Sequence, residues 1–314
     1  MKTISYSLLE ETEWPEDVFI ESGVLSRGDT MMIAADSKAG KSTFICGLIR
    51  QLISGGNFLG FKVTRPLRVF YMQAELREGR LKERLLPTYS NLTADVKSNL
   101  YIWSTRGLFL FGENQIEIEA QITSVIPDIL VIDPMLNFHN YNENNSQDMA
   151  QFFRFLDKVK ERFDMAIIMA HHFRKPSQDP KFKSSLLDSI RGSTSLRGWA
   201  VTTIAMEGRG DSEYRELEFD FRNCDEPLKR VIKYNKVTKD FDWHDPVAII
   251  GSWLKSNMNG KKLTTTQFID YLLSNHGDLL SNNHTKAHKL KKSLLEYQII
   301  TEHVQGKKHL ISMA

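Results

Sequence analysis

The chain has 314 residues, room for about two domains at ~150 residues each. Hydrophobic residues make up 41% and charged residues 25%, which excludes a disordered tail, a collagen and a disulfide-stapled miniprotein. Two cysteines, Cys46 and Cys224, are too few for a disulfide framework and fit a reducing compartment. No apolar run reaches the ~18 residues of a membrane span. The N-terminus lacks a basic-then-apolar signal, so a cytoplasmic protein without membrane contact is expected. The net charge of +2 is unevenly placed. Residues 255–314 hold nine lysines against Asp270, Asp278, Glu296 and Glu302, a net +5, which leaves −3 for residues 1–254. Five of the nine histidines also lie in this tail. Charge alone fits equally a tail that meets nucleic acid or another polyanion and a solvated lysine-rich surface.

In chain order, the apolar run Thr30–Ala35 predicts a buried strand. Lys41–Ile53 predicts a helix stopped by Ser54-Gly55-Gly56. Leu67–Met72 predicts a second strand and Arg80–Leu86 a helix. Leu100–Trp103 is a short strand, Ile116–Val125 a helix and Asp128–Ile132 a strand. Met149–Arg162 is helical and Met165–Ala170 is again a strand. Continuous apolar strands separated by helices mean an α/β fold with a mostly parallel sheet covered on both faces. Val201–Met206, Glu216–Phe221 and Val231–Tyr234 follow without intervening helices and read as late antiparallel strands. The polar stretch Ser177–Asp188 reads as a mobile loop.

A linker is expected near Asp245–Ser256. Beyond it, Thr264 to Gln267 opens a helix with a capping hydroxyl, Thr285–Glu296 forms a second helix, and Ile299–Val304 with His309–Ser312 forms a hairpin. Helix, helix, hairpin is the order of a winged helix. The expected organisation is therefore an α/β core over residues 1–250 and a small basic winged-helix-like domain over 255–314.

The strongest motif is Ala35-Asp36-Ser37-Lys38-Ala39-Gly40-Lys41-Ser42, followed by Thr43. It matches the phosphate-loop pattern G-x-x-x-x-G-K-S/T except at Ala35, and it joins a strand to a helix, as the pattern requires. Backbone N–H groups and the helix N-terminus form a nest for phosphate. Gly40 permits a backbone that a Cβ would strain. Alanine serves at position 35 provided that residue avoids positive φ. Lys41 reaches the β and γ phosphates, and Ser42 offers a hydroxyl to Mg²⁺. Asp133 ends the run Ile129–Ile132 and can hold the metal's water shell at the sheet edge. ATP and Mg²⁺ are the cofactors this pattern calls for.

Glu75, just past the second strand, is placed to polarise the water that attacks the γ phosphate, with Glu143 as a rival. His171 and His172 follow the next apolar strand. Adjacent residues on a strand point to opposite sides, so one can face phosphate, with His171 the candidate, and the other DNA, with His172 the candidate. No acidic or cysteine partner stands at metal-ligand spacing to them. Arg174, Lys175, Lys181 and Lys183, with the segment Arg191-Gly192-Ser193-Thr194-Ser195-Leu196-Arg197, supply cations, hydroxyls and backbone N–H groups that could meet a nucleic-acid backbone. An ordinary capped helix explains the last segment as well.

Taken together, these residues resemble the RecA-like hexameric helicases of the plasmid RepA type, with DnaB-type helicases as more distant relatives. The resemblance covers about residues 20–240 and is most specific in Ile168–Lys175 and Arg191–Ser195. It implies a RecA-like core and a homo-hexameric ring with ATP bound between neighbours. It also implies single-stranded DNA in the channel, Glu75 as catalytic base, and histidines coupling phosphate to DNA. A basic finger supplied to the neighbour's ATP is implied too, with Arg222 the leading candidate and Arg230, Lys233 and Lys236 its rivals. The function expected is an ATP-dependent DNA helicase of plasmid or phage replication, whose tail meets DNA, a primase or a helicase loader. The alternatives are a recombination or repair ATPase that forms filaments, and a nucleotide-switched DNA-binding regulator of replication.

Overall fold

A computed structural model describes residues 3, 5–12, 17–36, 38–173, 186–190, 194–208, 213–224, 230–244, 246–280, 284–306 and 308–314. Its centre is a nine-stranded sheet. The contributing elements in chain order are β1 (Thr30–Ala35), α1 (Lys41–Ser54), β2 (Val69–Gln73), α2 (Glu78–Tyr89), β3 (Leu100–Ser104), α3 (Gln115–Val125) and β4 (Ile129–Asp133). Then come α4 (Ser146–Phe163), β5 (Ala166–His172), α5 (Thr194–Trp199), β6 (Thr202–Gly208), β7 (Tyr214–Phe221), β8 (Arg230–Asn235) and β9 (Asp240–His244). The strand order is β9-β8-β7-β6-β1-β5-β4-β2-β3. The six strands from β6 to β3 run parallel, and β7, β8 and β9 run antiparallel.

The inner parallel strands β1, β2, β4 and β5 are buried on both sides because helices cover both faces, whereas the edge strand β3 is partly exposed. Alternation sorts β1 cleanly. Met31, Ile33 and Ala35 pack with the core under α1 and α2, while Met32 and Ala34 pack with the core under α3, α4 and α5. The helices start and stop where local chemistry dictates. α1 opens at Gly40 (φ 97°) and closes at Gly55 (φ 63°), both left-handed. The Asn145 side chain caps α4 by accepting from the N–H groups of Gln147 and Asp148, and Lys160 and Arg162 lie in its last turn, where the dipole favours cations.

Two sequence expectations change here. The strand over 202–208 is parallel to β1, not antiparallel, because α5 crosses back over the sheet before it. The linker expected near 245–256 is instead a helix, α6 (Pro246–Asn257). Its Ile250 and Leu254, with Met258 just beyond, are buried in one apolar cluster with Phe268, Leu272, Leu294, Ile300 and Ile311. The remaining tail elements are β10 (Leu263–Thr264), α7 (Thr265–Leu280), α8 (His284–Glu296), β11 (Ile300–Gln305) and β12 (Lys308–Met313). They give a three-stranded antiparallel sheet in the order β10-β12-β11. Thr264 and Gln267 cap α7 reciprocally: Thr264 Oγ1 accepts from the Gln267 N–H, and Gln267 Oε1 accepts from the Thr264 N–H at 3.0 Å. This cluster leans on Tyr214 of β7 and Val231 of β8.

Candidate nucleotide site

Four adjacent strands, β2, β4, β5 and β1, end at one edge of the sheet, and each carries a residue singled out from the sequence. Register sets them side by side, with Gln73 opposite Asp133, Ala34 opposite His171 and Ala35 opposite His172. Ligands of open parallel sheets bind at this carboxyl edge.

The loop from Ala35 to Lys41 has the backbone of a phosphate nest. Ala35 is still in the extended strand and takes no positive φ, so the missing glycine costs nothing there. Lys38 (φ 68°) and Gly40 (φ 97°) are the left-handed positions, and such alternation turns successive N–H groups to one side. A Cβ on Gly40 would lie 3.0 Å from the Phe241 ring, so both conformation and space call for glycine. Ser37 lies outside the described residues. Asp36 is half-buried, and that burial raises its carboxyl pKa. Ser42 and Thr43 follow Lys41 in the first turn of α1.

Lys41 Nζ donates to Asp133 Oδ1 at 2.9 Å, with side-chain exposures of only 6% and 3%. Tyr71 donates its hydroxyl to Asp133 Oδ2 at 2.9 Å. Burial, and then the Asp133 charge, hold the Tyr71 phenol well above its ordinary pKa, so it stays a donor. Both oxygens of Asp133 are thus engaged beside the nest. Sequence reasoning missed Tyr71. The available signal was a hydroxyl inside a strand apolar on both faces, which must find a partner.

Glu75 is exposed, two residues beyond β2. The Gln73 side chain shapes its turn: Oε1 accepts from the N–H of Glu75 and Leu76, and Nε2 donates to the Leu76 carbonyl. The Ala74 N–H donates to the Asp133 carbonyl, tying this turn to β4. Arg106 donates to the Glu75 carbonyl and, with Phe109 and Asn137, lines a groove of about 550 Å³ beside it.

The two histidines part company. His172 follows Ile168 and Ala170 on the face that α1 covers, which is the face of Lys41 and Asp133. His171 follows Ile167 and Met169 onto the opposite face and is buried. There His171 Nδ1 is 3.7 Å and His139 Nε2 is 3.8 Å from Glu143 Oε1. Glu143 is buried on that far side, and Glu75 is exposed. Burial holds His139 down at about 4, and its ring packs 4.7 Å from Phe152.

Of the expected cationic residues, Arg174, Lys175, Lys181, Lys183, Arg191 and Ser193 lie outside the described residues, as does the side chain of Arg197. Arg222 is exposed past β7, at the sheet edge away from the phosphate loop. Arg230 is caged by the rings of Phe61 (4.5 Å), Trp243 (5.1 Å) and Phe219 (5.9 Å). Lys233 and Lys236 lie at the phosphate-loop edge and pair with Glu213 at 3.9 and 2.7 Å.

The family model described as AAA domain matches residues 7–178. The chain belongs to the AAA domain family. Among solved structures, the chain is similar to the ATPase domain of G40P, with a TM-score of 0.54 and 16% identity over 76% of this chain and 96% of that one. It also matches the RadB recombinase, with a TM-score of 0.48 and 14% identity over 70% and 92% of the two chains. No curated protein matches. Fold and family together make this AAA-domain protein a RecA-like ATPase core. No helix among the described residues is long and apolar enough to cross a membrane.

Proposed function

We propose that the chain is an ATP-dependent DNA helicase, a homo-hexameric ring that moves on single-stranded DNA. The observation that carries the reading is the buried Lys41–Asp133 pair at 2.9 Å beside a loop with left-handed Lys38 and Gly40, with Glu75 two residues past the adjacent strand β2. In this reading Lys41 and the loop N–H groups bind the triphosphate, and Glu75 orients and deprotonates the attacking water. Ser42 and Asp133 would hold Mg²⁺, which when bound neutralises charge on the β and γ oxygens. The donor set fits, because a hydroxyl at a helix start and a carboxylate at a strand end are hard oxygen ligands.

His172 shares the nucleotide face and His171 the far face, so we assign phosphate sensing to His172 and relay through Glu143 to His171. The cations at 174–197 are the proposed DNA contacts. For the finger offered to a neighbour, Lys233 and Lys236 are favoured over the caged Arg230. Their exposed pairs with Glu213 are worth little and are easily exchanged for phosphate. The tail is read as a winged-helix-like domain, a reading supported by its two helices α7 and α8 followed by the β11–β12 hairpin. Its α8 exposes His288, Lys289 and Lys292 for DNA, a primase or a loader.

The test is ATPase activity with and without single-stranded DNA, with mass in solution. Lys41→Ala should abolish DNA-stimulated hydrolysis. Lys41→Arg keeps a cation beside Asp133 and separates lost chemistry from lost fold. Unchanged hydrolysis in both variants would remove the assignment.

A further inference from the structure

The late antiparallel strands hold the phosphate loop in a way that the loop's own sequence does not announce. Arg215 of β7 donates from Nε to the carbonyl of Ala39 at 2.7 Å, and from Nη1 to its neighbour's carbonyl, Tyr214, at 2.8 Å. Its guanidinium lies 5.9 Å from the centre of the Phe241 ring. That ring closes on Gly40 from β9. Gly208 of β6, paired with Arg215, leaves room for the contact: a Cβ there would stand 3.3 Å from Ala39 Cα and 3.3 Å from Arg215 Nε. Other arginines of the molecule are spent elsewhere. Arg27 and Arg65 pair with Asp17 and Asp128, and Arg230 sits in its aromatic cage.

The Ala39 carbonyl is one end of a trans, planar peptide whose other end is the N–H of Gly40, pointing the opposite way. Holding the carbonyl toward β7 therefore turns the Gly40 N–H away from β7. A glycine at φ 97° can rotate that peptide at little cost. A flipped peptide would present a carbonyl oxygen, not a donor, to phosphate. Resting on the reading of this loop as a triphosphate site, we infer that Arg215 is a positioning residue. It locks the Ala39–Gly40 peptide so that the Gly40 N–H faces the phosphate oxygens, and Phe241 blocks rotation from the other side.

The experiment uses the full chain with Arg215→Ala, Arg215→Lys and Lys41→Ala, each checked by thermal melting. Titrations use ATP with Mg²⁺, ADP and adenosine, alongside steady-state hydrolysis. In Arg215→Ala, KM for ATP and the dissociation constants of ATP and ADP should rise about tenfold, the size of one charge-assisted hydrogen bond. kcat should stay within about twofold of the parent. Adenosine, which never reaches the nest, should bind as to the parent chain. Arg215→Lys, which keeps one donor, should recover most of the loss. Unchanged ATP affinity in Arg215→Ala overturns the inference. So does a loss shared equally by adenosine and by melting temperature, with no recovery in Arg215→Lys. If the parent chain itself binds no ATP and Lys41→Ala changes nothing, the triphosphate reading falls and this inference falls with it.

Discussion

Two clusters of buried ionisable side chains sit at the same edge of the sheet, back to back. On the α1 face, Lys41, Asp133 and Tyr71 meet at 2.9 Å, within hydrogen-bond length. On the α4 face, His139 and His171 stand 3.8 and 3.7 Å from Glu143, at ion-pair distance and beyond a hydrogen bond. Moreover, a His139 held near 4 is neutral at physiological pH, so its approach to Glu143 carries no full charge pairing there. The first cluster fixes a charge next to a backbone nest. The second packs the His139 imidazole against the rings of Tyr141 and Phe152. Proximity of ionisable side chains around one buried carboxylate therefore means different things, and the contact distances separate the two cases.

The comparison breaks most sharply through catalysis. Glu75→Gln keeps size and turn hydrogen bonds but loses the proposed base. We expect kcat to fall about 10²–10⁴-fold with ATP affinity retained, read by hydrolysis and equilibrium binding. On the far face, His139→Gln should leave neutral-pH kcat within twofold, about the noise of such comparisons.

Stability provides the next test. Lys41→Ala strips the cation from a buried carboxylate and should cost about 3–5 kcal/mol in denaturant unfolding. Tyr71→Phe leaves Asp133 Oδ2 without its hydroxyl donor and should cost about 1–3 kcal/mol. If Tyr71→Phe proves neutral, the α1-face cluster is no better satisfied than its counterpart.

The smallest effects sharpen the contrast through pH. His139 titrates lower in the fold than its ordinary 6.5. Its stabilising contribution is present above 6.5 and is lost as pH falls toward about 4, at most about 3 kcal/mol. His139→Gln should flatten that loss in melts taken from pH 7 to 4. Asp240 acts in the opposite sense. It is pressed so closely on α1 that a Cβ on Gly47 would lie 2.0 Å from its Oδ1, and burial raises it to about 6. Protons bound in the fold and not in the unfolded chain make stability fall as pH rises from about 4 to 6. Asp240→Asn should remove that fall and gain about 1–2 kcal/mol at pH 8.

The loop backbone of the candidate site was legible in the sequence, because its determinants are local. A phosphate loop needs a glycine at one left-handed position, a lysine beside it and a strand–helix junction, and all three are contiguous between Thr30 and Ser54. Strand ends announced Glu75, Asp133 and the histidine pair for the same reason. The polar cluster around Arg27 and the tail helix α6 were not legible. Arg27 meets partners as distant in sequence as Asp128 and Asp164, and α6 is too evenly apolar to declare a face without its neighbours.

The chain's own order thus determined the parallel architecture, the glycine–lysine loop at the strand–helix junction and the basic tail, since hydrophobic period, glycine conformation and charge are written residue by residue. Only tertiary packing decided which histidine shares the face of Lys41, that Tyr71 and Lys41 share one carboxylate, that aromatic rings enclose Arg230, and that Arg215 reaches Ala39 from 176 positions away. Those outcomes depend on strand register and on which helix covers which face, and no local pattern encodes either.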